Sequence, residues 1–195
     1  MATRLVSVLC ALLAACDASP PSSAVDAEST DVGACSPGQA TPCGDDSFRE
    51  DKDAILAIME DFQDAIRNQD AARMGSLFLD GNIVWVGAGH PESHQFYRGQ
   101  DPTLRQVQQG GAYQLLGSPG FASQALEEVF FRPTIDTDGQ VGLASFDYVF
   151  NVNGEASNWG REYWQLAKVG PDWKIVHLLY SYNAVEVKPV PESFK

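Results

Sequence analysis

Apolar residues recur at helical spacing early in the folded part of the chain and fill strand-like runs later. The early set predicts an amphipathic helix over residues 48–67: Ile55, Ile58, Met59, Phe62 and Ile66. Asp70 is placed to cap a second, short helix. The β-branched and aromatic residues 82–87 predict a strand. Residues 125–135 and 141–183 predict four more strands, separated by turn-forming residues.

The segment between the first strand and the later four predicts a loop and a third helix. Pro91 favours a loop over residues 88–95. Asp101, followed by a proline, predicts the start of a short helix, and the Gly-rich residues 109–121 predict an irregular loop. Pro133 predicts an edge position or a bulge in its strand, because proline has no N–H for the ladder. Helices followed by a run of strands indicate the α+β class.

The last two strands are predicted to form a hairpin. A three-residue loop over residues 170–172 would set Trp164 opposite Leu178. The same register sets Glu162 opposite Tyr180. Because strand residues alternate between faces, the other face of the last strand then carries Trp173, Ile175, His177, Leu179 and Ser181.

The charge of the chain argues against a nucleic-acid partner. The formal net charge is −13, from 13 Lys and Arg against 26 Asp and Glu. Binding to nucleic acid needs clustered Lys and Arg that face the phosphates. An acidic balance of this size is typical of a soluble surface.

The N-terminus has the organisation of an export signal. Arg4 precedes an apolar run over residues 5–13, which is too short to span a bilayer of roughly 30 Å as a stable helix. The run ends in Leu13-Ala14-Ala15-Cys16, which resembles a bacterial lipobox. The resemblance implies a signal peptide over residues 1–15, a lipid on Cys16 and a place in the bacterial cell envelope, on the periplasmic side or at the cell surface. An ordinary secretory signal cut nearby is the alternative.

Residues 16–46 have the composition of a tether, because Ser, Pro, Ala, Asp and Glu dominate and Lys and Arg are absent. Cys35 and Cys43 are an even pair in an oxidising compartment, which predicts a disulfide. A metal site is the alternative, although no His or third Cys lies nearby. The folded domain is expected over residues 47–195, held at the membrane by the lipid anchor only.

Asp147 is the sharpest chemical candidate, because it lies between Phe146 and Tyr148 in the middle of a strand. A carboxyl group surrounded by apolar side chains has a raised pKa and can act as a general base. Tyr148 or Tyr180 would supply a hydrogen-bond donor. The alternative is that Asp147 faces solvent or pairs with Arg161 on the neighbouring strand.

No metal or cofactor is predicted. His90 and His94 could ligate a metal if they lay on a helix, but the predicted loop and the missing third ligand favour ordinary loop histidines. A Ser-His-Asp spacing, a P-loop and a dinucleotide fingerprint are all absent from the sequence.

An ordered series of motifs carries a family resemblance. It begins with the break and acidic cap Arg67-Asn68-Gln69-Asp70 and the strand entry Leu77-Phe78-Leu79-Asp80-Gly81-Asn82-Ile83. Tyr97-Arg98-Gly99 follows, and the terminal hairpin reads Trp164-Gln165-Leu166-Ala167-Lys168, then Gly170, then Asp172-Trp173-Lys174-Ile175-Val176-His177. Over residues 48–183 the chain resembles the NTF2-like superfamily, in particular its SnoaL-like and DUF4440-type bacterial members.

The resemblance implies a cone, in which a strongly bent antiparallel sheet wraps around three N-terminal helices and encloses a pocket. It implies these pocket residues: Trp85, Tyr97, Glu162, Trp164, Leu178 and Tyr180. The outer face of the sheet, with His177 and Leu179, is expected to form a homodimer, or else to be covered by the C-terminal tail. Members of the superfamily include isomerases, dehydratases, cyclases and non-catalytic binders, so the fold does not give the activity.

Three functions stay open at this point. The first is binding of a small apolar or aromatic molecule, or of a protein partner, without catalysis. The second is a cofactor-free isomerase or lyase reaction on a small hydrophobic substrate, with Asp147 as the general base. The third is an interaction module that uses the outer face of the sheet.

Overall fold

The computed structural model describes residues 48–79, 83–110 and 123–194. The predicted signal peptide, the lipid site Cys16, the tether and the Cys35 and Cys43 disulfide all lie outside these ranges. The described elements are α1 (Arg49–Asn68), α2 (Ala71–Ser76), β1 (Val84–Gly89), α3 (Pro91–Arg98), β2 (Val107–Gly110), β3 (Leu126–Thr137), β4 (Val141–Val152), β5 (Glu155–Val169), β6 (Asp172–Ala184) and a short 3₁₀ turn, Glu192–Phe194. Within the described ranges, no helix is long and apolar enough to cross a membrane.

The strands form one six-stranded sheet in the order β2-β1-β6-β5-β4-β3. Neighbouring strands are antiparallel except β1 and β6, which run parallel. The predicted α+β class and the bent sheet with three helices are confirmed, with α3 placed after β1. The parallel pair differs from the predicted antiparallel sheet, because strands that no hairpin joins are free to pair in either direction.

Helix α1 fills one side of the sheet, which we call the concave face. Four of the five side chains that the helical spacing predicts are buried, whereas Ile58 is only partly buried, and the main core forms around them. The ring of Phe62 lies 4.8 Å from that of Trp164 and 6.0 Å from that of Phe130. Asp51 fixes the start of the helix, because its carboxylate accepts hydrogen bonds from Lys168 (2.7 Å) and Trp173 (3.0 Å).

Helix α2 agrees with the prediction from the sequence, whereas helix α3 does not. Asp70 caps α2 as predicted, with its side chain accepting from the backbone N–H of Arg73 at 2.9 Å. The predicted loop at residues 88–95 is largely helix α3, because Pro91 occupies its first turn, where a missing N–H costs nothing. The helix predicted at Asp101 is instead a turn, in which the carboxylate accepts from the backbone N–H of Thr103 at 2.9 Å.

Strand β3 is an edge strand with a bulge, as Pro133 predicts. Its pairing with β4 shifts between Phe131 and Thr134. Arg132, inside the bulge, has a left-handed backbone with φ of 53°. The extra residues let the chain place a proline there without breaking a ladder hydrogen bond.

The β5–β6 hairpin reaches its predicted register by a different route. Val169 pairs with Asp172, so the turn has two residues and the predicted three-residue loop is wrong. The register then shifts between Gln165 and Leu166, which leaves Val176 as an extra residue in β6. Beyond that bulge, the predicted pairs form: Trp164 with Leu178 and Glu162 with Tyr180.

The bulge at Val176 also corrects the predicted faces of β6. Trp173 and Ile175 belong to the main core with Leu178, rather than to the outer face with His177. An extra residue reverses the alternation, so residues on either side of it share a face although simple counting separates them.

The C-terminal tail covers part of the outer face of the sheet. Phe194 stacks on Phe131 at 5.3 Å and meets Trp159 edge-on at 5.7 Å. The indole N–H of Trp159 donates to the carbonyl oxygen of Lys188 at 2.8 Å. Beyond the tail, three large apolar side chains keep about two fifths of their surface exposed: Leu143 at 44%, Tyr163 at 42% and Leu179 at 38%. The homodimer stays a prediction, which sedimentation equilibrium would decide.

Gly160 is expected to be intolerant of any side chain. A Cβ added there would overlap the carbonyl oxygen of Ser181 on β6. We expect Gly160→Ala to lower the free energy of unfolding by at least about 2 kcal/mol in urea denaturation, because the backbone of a paired strand must move.

Gly75 gives the matched control, since an added Cβ meets no atom within 4 Å and the residue lies in helix α2. Gly75→Ala should be neutral or stabilise by roughly 0.5–1 kcal/mol. Equal effects of the two substitutions would contradict the close approach of β5 and β6.

Candidate active site

The alternation of β4 decides where Asp147 lies. Phe146 and Tyr148 both belong to the main core, so Asp147 between them points to the outer face. There its Oδ1 accepts from Arg161 Nε at 2.9 Å and its Oδ2 accepts from Arg132 Nη2 at 2.6 Å. The predicted apolar surrounding of Asp147 is wrong, and the alternative, pairing with Arg161, is confirmed.

The electrostatics of Asp147 are opposite to those of the predicted general base. Burial disfavours its charged form, but the hydrogen bonds and positive charges of Arg161 and Arg132 together outweigh burial and lower its pKa. A carboxylate that is ionised and occupied by two guanidinium groups is a poor proton acceptor. Asp147 is therefore the centre of an ion-pair cluster, which corrects its assignment as the catalytic base.

Two other carboxyl groups meet on the concave side of the sheet. Glu162 on β5 is 3% exposed and Glu128 on β3 is 5% exposed. The two side chains are hydrogen-bonded to each other, and we call them the carboxyl pair. The indole Nε1–H of Trp164 donates to Glu162 Oε2 at 2.6 Å, and both of these side chains are buried.

Burial gives the carboxyl pair an unusual affinity for protons. It raises the pKa of Glu162 to about 8, even though the hydrogen bonds from Trp164 and Glu128 act in the opposite direction. Burial likewise raises the pKa of Glu128 well above its usual range, and the neighbouring Glu162 charge adds to the effect. The pair therefore keeps at least one proton at neutral pH.

Four of the predicted pocket residues share the concave face with the pair. Tyr180 lies directly across from Glu162, and Leu178 lies between Trp164 and Trp85 in neighbouring strands. Trp164 and Leu178 are fully buried, whereas Trp85 and Tyr180 are only partly buried. Among the described residues, the buried indole nitrogen of Trp85 has no hydrogen-bond partner.

Tyr148 and Tyr97, the other two tyrosines named from the sequence, lie in different surroundings. The Tyr148 hydroxyl donates to Asn158 Oδ1 at 2.9 Å and lies 3.1 Å from the carbonyl oxygen of Ser181. Tyr148 therefore lies on the face opposite to Asp147, and the two cannot act on one substrate. Tyr97 lies in α3 and packs in a separate cluster, with its ring 6.0 Å from that of Tyr182.

Glu128 is the main residue that the sequence reasoning missed. It alternates with apolar neighbours, because Leu126 and Phe130 flank it two positions away on the same face of β3. The sequence signal for Asp147 was a carboxyl residue with apolar residues directly beside it. For Glu128 the apolar residues lie two positions away, which places them on the same face of the strand. Pairing of Glu128 with Glu162 depends on the bend of the sheet, since two β-ladders separate their strands.

The histidines do not form a site. His94 lies in α3 with its Nε2 atom 3.0 Å from the carbonyl oxygen of Leu104. His177 pairs across from Gln165, on the outer face. In the described ranges, no group of three or more His, Cys, Asp and Glu side chains is arranged to hold a metal ion.

No family model and no curated protein matches the chain. Solved structures do match it. An NTF2-like superfamily protein from Salmonella enterica serovar Typhimurium superposes with a TM-score of 0.50 at 20% identity, covering 70% of this chain and 93% of that one. The chain has the NTF2-like fold. The resemblance read from the motif series is thereby confirmed at the level of fold.

Two further structures share this NTF2-like fold, both from Novosphingobium aromaticivorans. One is provisionally named a scytalone dehydratase; its TM-score is 0.52 at 13% identity, covering 71% of this chain and 87% of that one. The other is the β subunit of a provisionally named aromatic-ring-hydroxylating dioxygenase; its TM-score is 0.53 at 13% identity, covering 74% of this chain and 96% of that one. Identities this low show the fold alone.

Replacing Glu162 is expected to change how stability depends on pH. An unfolded Glu ionises near pH 4.5, whereas folded Glu162 ionises near pH 8. Wild-type stability should therefore fall as the pH rises through this window, because the unfolded chain releases a proton that the folded protein retains. Glu162→Gln should remove the part of this fall that Glu162 contributes, leaving the part from Glu128, and be more stable than wild type at pH 8, by roughly 2–4 kcal/mol.

Urea denaturation at a series of pH values between 4 and 9 measures this effect. Glu155→Gln, at the exposed start of β5, is the matched control and should keep the wild-type slope. A Glu162→Gln protein that loses stability with pH as steeply as wild type would show that Glu162 is not the buried acid.

Proposed function

We propose that the domain is a cofactor-free acid–base enzyme, an isomerase or lyase that acts on a small, neutral and mostly apolar molecule. The observation that carries the proposal is the buried carboxyl pair on the concave face, with Glu162 and Glu128 in hydrogen-bond contact. The isomerase or lyase is the second of the three functions that the sequence leaves open, there with Asp147 as the base. We replace that base by the carboxyl pair, because Asp147 lies on the outer face of the sheet.

The carboxyl pair can both accept and donate a proton, as such a reaction requires. Once Glu162 ionises, near pH 8, the pair holds one proton and contains both an acid and a base in one place. Burial adds to this, because electrostatic interactions with a developing charge are stronger where water is excluded. Isomerisation and elimination both need one proton removed and one delivered.

The surroundings of the pair favour a neutral substrate. The aromatic rings on this face include Phe62, Phe130 and Trp164, whose centroids lie 4.8–6.0 Å apart. Among the described residues, the buried polar side chains include no Lys or Arg. An anionic substrate would therefore lack a buried counter-ion, and its desolvation would be costly.

A route to the pair is supported by three aromatic residues that are only partly buried. Trp85, Phe130 and Tyr180 pack against the main core and still keep some exposure. Tyr180 is opposite Glu162 with its ring against Gly87 of β1, whereas the Tyr148 hydroxyl donates to Asn158, so we assign Tyr180 as the donor to a bound substrate. The shared fold with a protein provisionally named a scytalone dehydratase agrees with a lyase and gives no residue roles.

Proton exchange on a simple ketone tests the proposal. 2-Tetralone in D₂O is a small, neutral, aromatic probe whose α-protons exchange when a base removes them, and ¹H NMR follows the loss of their signal. We expect wild-type protein to accelerate exchange over the buffer, and Glu162→Gln to lose at least about 100-fold of that acceleration.

Asp147→Asn is the matched control for this experiment, because it changes a carboxyl on the outer face and should leave the exchange rate within about twofold. Binding of 2-tetralone is measured separately by quenching of tryptophan fluorescence. Binding without exchange would reject the enzyme and support non-catalytic binding of a small apolar molecule. That second function is favoured by one observation, the indole nitrogen of the partly buried Trp85, which has no hydrogen-bond partner among the described residues. If 2-tetralone neither binds nor exchanges its α-protons, the interaction module is the function that remains.

We also propose that the chain is exported and held in the cell envelope by a lipid on Cys16. The support is the sequence Leu13-Ala14-Ala15-Cys16 after a short apolar run. Metabolic labelling with palmitate should mark the wild-type chain and not Cys16→Ala, and the variant should move to the soluble fraction. A Cys16→Ala chain that still fractionates with membranes would contradict the anchor.

A further inference from the structure

The two members of the carboxyl pair have unequal hydrogen-bond support. Glu162 accepts the indole N–H of Trp164 at 2.6 Å and is also hydrogen-bonded to Glu128. An indole N–H can only donate, so its acceptor gains most when it is a carboxylate. The ring of Trp164 is held by Phe62 at 4.8 Å and by Phe146 at 5.0 Å, which keeps this donor aimed at Glu162.

We propose that Trp164 is a positioning residue that places the negative charge of the carboxyl pair on Glu162 and leaves the shared proton on Glu128. Two adjacent buried carboxyl groups cannot both ionise at low cost, so one proton remains between them. The group with the stronger donor keeps the charge. Hydrogen bonding to Glu128 lowers the pKa of Glu162, and hydrogen bonding to Glu162 raises the pKa of Glu128, which agrees in direction.

Other charged groups do not oppose this arrangement. The phenols of Tyr148 and Tyr180 face the pair from β4 and β6, and a phenol supplies no positive charge to either carboxyl group. Helix α1 presents Phe62 and the neutral amide of Gln63, which accepts from the backbone N–H of Phe130 at 3.3 Å.

The arginines next to the pair along the chain, or in contact with its neighbour Glu127, are engaged elsewhere. Arg67, at the end of α1, contacts Asp64 at 2.7 Å and Glu127 at 3.6 Å. Arg161 and Arg132 are bound to Asp147 on the outer face of the sheet, as described above. The choice of which carboxyl ionises therefore falls to the indole of Trp164.

This inference rests on the proposed function, whose base and acid it assigns. Glu162 takes a proton from a substrate carbon, and the electron pair of that C–H bond moves into the substrate. Glu128 gives its proton to the substrate atom that gains electron density, or to a leaving hydroxyl group. The proton now on Glu162 then passes to Glu128 through their hydrogen bond, which restores the starting state. The donor from Trp164 makes this return favourable.

The location of the proton can be measured without any substrate. Protein labelled with ¹³C at the glutamate carboxyl carbons gives one NMR resonance per residue, and Glu128→Gln and Glu162→Gln assign the two of interest. In wild type at about pH 9, above the pKa of about 8 of Glu162, we expect Glu162 at the chemical shift of a carboxylate and Glu128 at that of a carboxylic acid. The reverse assignment in wild type would overturn the proposal, even if no Trp164 variant folds.

Trp164→Phe removes the N–H and keeps an aromatic ring. We expect the midpoint of Glu162 ionisation to rise by about 1–2 pH units, because a hydrogen bond to a charged acceptor is lost. Trp173→Phe is the matched control, since it removes a core indole N–H that donates to Asp51 instead. It should leave the Glu162 midpoint unchanged.

An unchanged midpoint in folded Trp164→Phe, or an equal rise in Trp173→Phe, contradicts the role of Trp164. Failure of the enzyme proposal is distinguishable from both outcomes. In that case the NMR assignment holds while 2-tetralone shows no exchange above the buffer.

Discussion

The contact between Phe62 and Trp164 joins helix α1 to the sheet, and most of the interior depends on it. The two rings lie 4.8 Å apart, with Phe146 packed against the same indole at 5.0 Å. Burying large aromatic side chains contributes roughly 1.5–3 kcal/mol each. That gain offsets part of the cost of keeping two carboxyl groups away from water. The apolar packing and the polar pair are therefore one arrangement, since the indole that fills the core also supplies the donor to Glu162.

The sheet separates two kinds of acidic residue by the thickness of a single layer. Asp147 and Glu162 lie on neighbouring strands, with Asp147 directly across from Arg161. Outward orientation gives Asp147 two guanidinium partners and a permanent charge. Inward orientation gives Glu162 an indole, a second carboxyl group and an affinity for protons. The face of the sheet to which a strand residue points thus decides whether its carboxyl group is held ionised by arginines or has a raised affinity for protons.

The sequence was sufficient for the class of the fold and for much of the sheet, and insufficient for the site. Helical spacing located α1, and Pro133 located the bulge in β3. The faces of β6 could not be predicted, because nothing local marks Val176 as the extra residue that shifts the ladder. The sequence neighbours of Asp147 predict an apolar environment, whereas its actual environment includes Arg132, which the bulge brings near. Glu128 was missed because its partner lies two ladders away and meets it only when the sheet bends.

The bulge in β3 has a consequence for the behaviour of the protein in solution. A long edge strand offers unpaired N–H and C=O groups on which another chain can add a strand. Here Arg132 has a left-handed backbone, and the next residue, Pro133, has no N–H to offer. The row of hydrogen-bonding groups along β3 is interrupted at its middle by a kink and a positive charge. An edge interrupted in this way resists edge-to-edge pairing with other copies of the domain, and so resists aggregation.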